Sequence, residues 1–277
     1  MILENLFDQC DSLPAAPTLL RDLIDQFNDE NASLQDLATL MERDPAICAQ
    51  LLRLANSSYF QLTEPVSTTL LALQQVGLTN ARSLAISIGL MSCFSGISQG
   101  TLHAFWQHSL KTAIAASHWA KANGQSTSVA YTTGLLRAIG QLIMHINMPA
   151  QMSELDQTTG RESPARVAAE TSHFGYAYTD VGAELCTRWK LPESFATTLA
   201  ASGKLADGLS MDPLAALVAL AAWQAWASDQ TLSDSELEAL WPAAVAQQAG
   251  VQLSQAARNF PSWEEAGGAA AALLTSA

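Results

Sequence analysis

Five histidines, His103, His108, His118, His145 and His173, are the side chains best suited to holding a metal ion. None sits in an H-E-x-x-H pattern and none lies beside an aspartate. His103 and His108 are five residues apart, so on one helix they point about 140° away from each other and cannot easily share an ion. Metal centres need three or more convergent ligands, and the spacing alone reads as ordinary core or surface histidines. No G-x-S-x-G elbow and no P-loop is present. Trp223 and Trp226 stand at i, i+3, a spacing of core or interface filler. The stretch AYTTGLLRAIGQLIM, Ala130 to Met144, is different. It reads as one apolar helix carrying Arg137 and Ala138 in its middle, between Gly134 and Gly140, where small residues let another backbone approach. A guanidinium has no acceptor and alanine has no side-chain donor atom, so this pair cannot ligate a cation.

The elements that must position these residues read as helices throughout. Ser33 and Asp36 form a capping box ahead of Leu34, Leu37, Ala38 and Met41. Asp44 and Pro45 supply an N-cap and first-turn proline for a second helix through Ile47, Leu51, Leu54 and Ala55. A loop with Thr63, Glu64 and Pro65 follows, then a short helix stopped by Gly77 and another through Leu84, Ile86 and Ile88. FSGISQG, Phe94 to Gly100, is the predicted seam between two lobes, and a long helix is expected from about Thr101 to Asn123. Ser163–Pro164, Asp180, Asp212–Pro213 and the Ser233–Glu236 box mark later helix starts, with a break at Leu191–Pro192. The expected fold class is all-α, two helical lobes with no internal repeat.

Composition narrows the function. Twenty-six Asp and Glu against 13 Lys and Arg give a net charge of −13, a field that repels phosphate backbones and anionic lipid head groups. No nucleic acid and no membrane partner is expected. Cys10, Cys48, Cys93 and Cys186 form no C-x-x-C pair, which fits a reduced cytoplasm. The apolar window Pro213 to Ala227 is too short for a bilayer span and contains Gln224, so a buried helix is expected.

The order of segments resembles the HDOD (HD-related output domain) family. LPAAPTLLRDLIDQFND from Leu13, SLQDLATLMERDPAICAQLLRLANSSYF from Ser33 to Phe60 and ALQQVGLTNARSL from Ala72 carry the resemblance. So do FWQHS at Phe105, GLLRAIG at Gly134, HFGYAYTDVGAEL at His173 and RWKLPE at Arg188. It implies an HDOD domain over residues 6–205, with lobe 1 about 6–95, lobe 2 about 101–205 resembling an HD-type helical bundle, and a helical extension over 206–277 packed on the domain. HD relatives are metal-dependent phosphohydrolases in which a histidine and an adjacent His-Asp pair hold the ion that activates water. By that resemblance the first histidine matches His108 and the His-Asp pair falls on Arg137 and Ala138. Gln141 stands where the family commonly has lysine, Tyr178 where many members have histidine, and Ser202–Gly203 where a His-His pair is common. Glu170 and Asp180 complete a remnant pocket with His108, Arg137, Ala138, Gln141 and Tyr178, and Arg137 is expected to pair with Asp180 or Glu170 in place of the metal.

The resemblance implies a non-catalytic bacterial signal-transduction module that acts on a protein partner, with no metal and no cofactor. The similarity begins within the first dozen residues, so the input is expected from a separate partner or small ligand. Two alternatives remain: a phosphohydrolase with ligands re-sited on His108, His173, Asp180 and Glu184, and a nucleotide-binding regulator using Arg137, Arg161 and Arg166.

Overall fold

The computed structural model describes residues 3–8, 18–29, 33–56, 65–76, 87, 99–205, 212–254 and 260–267, and every regular element among them is helical. The helices are α1 Leu3–Asp8, α2 Thr18–Asn28, α3 Leu34–Met41, α4 Pro45–Ala55, α5 Thr69–Val76 and α6 Gln99–Ala122. There follow α7 Thr127–Leu136, α8 Ile139–Asn147, α9 Pro149–Thr158, α10 Arg166–Phe174, α11 Tyr178–Arg188 and α12 Glu193–Ser202. The last are α13 Pro213–Ser228, α14 Asp234–Leu240, α15 Ala243–Ala249 and α16 Trp263–Gly267. The predicted Gly77 stop, the helix through Leu84, Ile86 and Ile88, Thr63–Glu64 and most of the Phe94–Gly100 seam lie outside the described residues, as does the Leu54 side chain. Gln99 and Gly100 open α6.

Two compact units form. One comprises Pro14–Leu110 with Pro261–Ala277, the other Met1–Leu13 with Lys111–Phe260. In the first, α2 to α5 pack by helical faces that the sequence marked: Leu37, Ala38 and Met41 of α3 and Ile47, Leu51 and Ala55 of α4 are buried. The Ser33 hydroxyl accepts from the Asp36 N–H at 3.2 Å while the Asp36 carboxylate accepts from the Ser33 N–H, satisfying donors that a helix start leaves open.

In the second unit α8, α11 and α12 pack tightly, with α7 and α13 against α12. Gly140 permits the closest approach: a Cβ there would lie 2.0 Å from the Tyr178 carbonyl oxygen and 2.9 Å from the Gly182 nitrogen. Gly134 plays a similar part against the Ala113 backbone, where a Cβ would come within 2.9 Å. The Asp212 cap starts α13 as its sequence predicted, and Gln224 inside this apolar helix is buried, accepting from Trp119 Nε1 at 2.7 Å. Trp223 is buried and donates to the Leu240 carbonyl. The Arg188 guanidinium lies 4.6 Å over the Phe7 ring, tying α1 to α11. Among the described residues no helix is long and apolar enough to cross a membrane.

One element differs from expectation. The Ala130–Met144 stretch is two helices, not one, and the break falls on Arg137–Ala138. Ala138 adopts φ −91°, ψ 0°, the bridge conformation between turns. The Arg137 N–H reaches Gly134 and the Gln141 N–H reaches Ala138, three residues back, so the chain tightens there and re-aims.

Candidate functional site

The second unit carries a polar network inside its helices. Gln141 and His145 come from α8, Asp156 from α9, Arg161 from the turn after it, and Arg166 and Glu170 from successive turns of α10. Arg166 and Glu170 are both fully buried and bond at 2.7 Å. Arg166 also donates to Asp156 Oδ1 at 2.8 Å and to the Thr159 carbonyl at 2.7 Å. The other Asp156 oxygen meets His145 Nε2 at 2.9 Å and Arg161 Nε at 2.7 Å. The second Glu170 oxygen accepts the Tyr178 backbone N–H at 2.7 Å, which fixes the start of α11. Burial alone would raise the Asp156 carboxyl, but hydrogen bonds from His145, Arg161 and Arg166 hold it below the usual carboxylate range. Burial pushes the Glu170 carboxyl up, against the pull of Arg166 and the Tyr178 N–H.

Arg137 stands one residue past the end of α7, half-buried, and donates from Nη1 to the Tyr178 hydroxyl. Its Cζ lies 5.2 Å from the centre of the same ring. Its Nε is buried without a hydrogen-bond partner. The expected pairing of Arg137 with Asp180 or Glu170 does not form, because both Glu170 oxygens serve Arg166 and Tyr178, and Asp180 caps α11. Asp180 Oδ2 accepts the Ala177 N–H at 2.9 Å, and Lys204 lies 3.9 Å from Oδ1.

The structure thus links Arg137, Tyr178 and Glu170 in one chain of contacts, with Gln141 at its margin donating to the Arg161 carbonyl at 2.7 Å. Ala138 is buried at the break between α7 and α8. His108 is buried on α6 in the unit formed by residues 14–110. The residues proposed for a re-sited metal are occupied otherwise: His173 is exposed against Phe174, and Glu184 pairs with Arg188 at 2.8 Å. Among the described residues no three His, Cys, Asp or Glu side chains converge as metal ligands would. Arg137 and Ala138, which the resemblance alone sets at the positions of the His-Asp pair, offer a divalent cation no lone pair, and the Glu170 and Asp180 carboxylates bond Arg166, the Tyr178 N–H and the Ala177 N–H.

Arg161 and Arg166, expected beside Arg137 as a cluster for phosphate, instead serve Asp156. Sequence reasoning named His145 only as one of five histidines, without a partner, and did not single out Asp156. The signal for the Arg166–Glu170 pair was present in their i, i+4 spacing. Nothing in the order of residues could bring Asp156 to Arg166 before the loop between α9 and α10 was known.

The HDOD domain family matches residues 13–204. A curated "Uncharacterized protein" of Treponema pallidum (strain Nichols) is 24% identical over 197 residues, 70% of this chain, and the chain spans only 38% of that protein's length. A crystal structure named "Putative phosphohydrolase", from Shewanella amazonensis SB2B, superposes with a TM-score of 0.73 at 24% identity, covering 97% of each chain. Another, named "Putative signal transduction protein", from Marinobacter aquaeolei VT8, gives 0.70 at 18% identity, covering 95% of this chain and 59% of that one. Likeness at these identities bears on the fold.

Proposed function

The chain belongs to the HDOD domain family, and from that premise we propose that it is a non-catalytic regulatory module of bacterial signal transduction that acts by contact with a protein partner. The observation that carries this reading is the Arg137–Ala138 turn. Hydrolysis in HD-type proteins needs a cation to lower the pKa of water and hold it against a phosphoryl group. Here a permanent cation donates to Tyr178 and a methyl group follows it, so neither residue offers a lone pair. Glu170 and Asp180, the acids assigned to the remnant pocket, have structural work that binding a metal would undo. The net charge of −13 argues against nucleic acid and anionic membranes as partners. A cytoplasmic location belongs to the same proposal and rests on the scattered cysteines, of which the described ones, Cys48 and Cys186, are free thiols. The HDOD domain is taken as residues 6–205 with residues 206–277 as its extension.

The test is the metal content of untagged protein by elemental mass spectrometry, beside turnover of a generic phosphodiester with added Mn, Fe, Ni or Zn. Substoichiometric metal and no turnover are expected. Near-stoichiometric metal with turnover overturns the regulatory reading in favour of a re-sited phosphohydrolase.

A further inference from the structure

Helix α14 belongs to the second unit but adds nothing to its core: none of its seven residues, Asp234–Leu240, is buried. A helix this short does not hold itself together in water. Two fixtures at its ends do so instead. At the start, the Ser233 hydroxyl accepts from the Glu236 N–H, and the Glu236 carboxylate accepts from the Ser233 N–H at 2.8 Å. At the end, buried Trp223 donates from Nε1 to the Leu240 carbonyl at 3.0 Å, and the Trp223 and Trp241 rings meet edge to face at 5.0 Å. The helix is fixed in shape while its side chains remain unspent on the fold.

Those side chains are ordered by type. At about 100° per residue, Leu237 and Leu240 fall on one stripe with Trp241 next to it, Glu236 on one edge and Asp234 with Glu238 on the other. Leu237 and Trp241 are half-buried, the three acids are exposed, and Leu240 is 45% exposed. Only Leu71 is a comparably exposed large apolar side chain among the described residues. An apolar centre within a charged rim is the anatomy of a protein interface. The sign of the rim selects the occupant. From Leu205 to Ala257 the sequence has six acids and no Lys, Arg or His, so a second copy of this chain would set acids against acids, whereas a basic segment is attracted. No strand is present among the described residues to offer an edge for strand addition, which leaves helix-on-helix docking. The face lies outside residues 13–204, the part that the HDOD family matches.

We propose that α14 and Trp241 dock a basic amphipathic helix of a protein partner, with Leu237 and Leu240 as the apolar anchors and Asp234, Glu236 and Glu238 as the rim. This names the surface through which the regulatory module would act, so it rests on the reading of the preceding subsection.

The probe is a synthetic peptide of about 14 residues, leucine at helical spacing on one face and lysine on the other, titrated into the untagged full chain by calorimetry and followed by hydrogen exchange. Saturable binding is expected, with added exchange protection over residues 233–241, and the same peptide with glutamate for lysine should not bind. Leu240→Ala keeps a good helix former at an exposed position, should leave the melting temperature unchanged, and should weaken binding about tenfold. Glu238→Gln should weaken it about threefold at low salt and less at high salt. Leu71→Ala should bind as wild type does. The inference is overturned if the peptide does not saturate the chain, if protection falls outside 233–241, if the acidic peptide binds as tightly, or if Leu240→Ala binds like wild type. A chain that sediments as a dimer and becomes monomeric on Leu240→Ala makes the occupant a second copy. A melting temperature lowered by several degrees in that variant makes it another segment of this chain, and either result overturns the proposal. No peptide binding together with no metal and no turnover overturns this inference alone. Peptide binding at α14 beside near-stoichiometric metal and turnover overturns the regulatory reading alone.

Discussion

Arg137 meets Tyr178 directly and Arg166 reaches it only through Glu170, and the two arginines live under opposite conditions. Arg166 is fully buried, and two carboxylates and a carbonyl take up its donors, one of those carboxylates going on to hold the Tyr178 N–H. Arg137 is half-buried and, among the described residues, gives a single hydrogen bond, to the Tyr178 hydroxyl. Desolvating a guanidinium is tolerable only where acceptors replace water. The first arginine is therefore a part of the fold, and the second keeps a buried donor, Nε, that no group among the described residues takes up. A single sequence lists both simply as arginines.

The sharpest way to break the comparison is to remove the buried arginine. Arg166→Met strands Glu170 in the interior and takes one partner from Asp156, and breaking a buried pair costs about 3–5 kcal/mol. Urea unfolding should show that loss, and a loss under about 1 kcal/mol would mean that Arg166 is not the structural member of the pair. Gly140→Ala comes next. Its methyl would press on the Tyr178 carbonyl, a backbone atom with nowhere easy to move, and overpacking of this kind costs about 1–3 kcal/mol. The same variant would shift Tyr178 and so disturb both arginines at once.

Acid should separate the two carboxylates that hold Arg166. The Asp156 pKa is depressed in the folded state, so its stabilisation is complete above the unfolded value of about 3.9 and is lost as pH falls through the folded value. Glu170 has the opposite sign: its folded pKa is raised, so its contribution is complete below the unfolded value and is lost as pH rises through the folded one. Asp156→Asn should accordingly flatten the fall of the urea midpoint between about pH 5 and pH 3. A wild-type slope retained in that variant would place the acid sensitivity elsewhere.

Helix starts were legible because capping is local: Ser33 with Asp36, Asp212 ahead of Pro213, and Ser233 with Glu236 each satisfy donors within three residues. The all-α class followed from the same punctuation. The break at Arg137–Ala138 was not legible, because alanine and arginine are good helix formers, and the close approach of Gly140 to the Tyr178 backbone just after it joins segments distant in sequence. The site itself was half legible. The resemblance implied Arg137 and Ala138 at the ligand positions, but the partner of Arg137 could not be read, since Tyr178 lies 41 residues away and competes with two acids that a local cap and Arg166 had already claimed.

The smallest expected effect is the most telling. Arg137→Met removes one hydrogen bond to a phenol and a ring contact, both at a half-buried position, and should change stability by no more than about 1 kcal/mol. A structural stand-in for a metal would behave like Arg166 and cost several times as much. A near-silent melting curve for Arg137→Met beside a severe one for Arg166→Met would show that the charge at the turn is retained for something other than holding the helices together. A severe curve for both would return Arg137 to the fold, and the Tyr178 hydroxyl would then count as its sufficient partner.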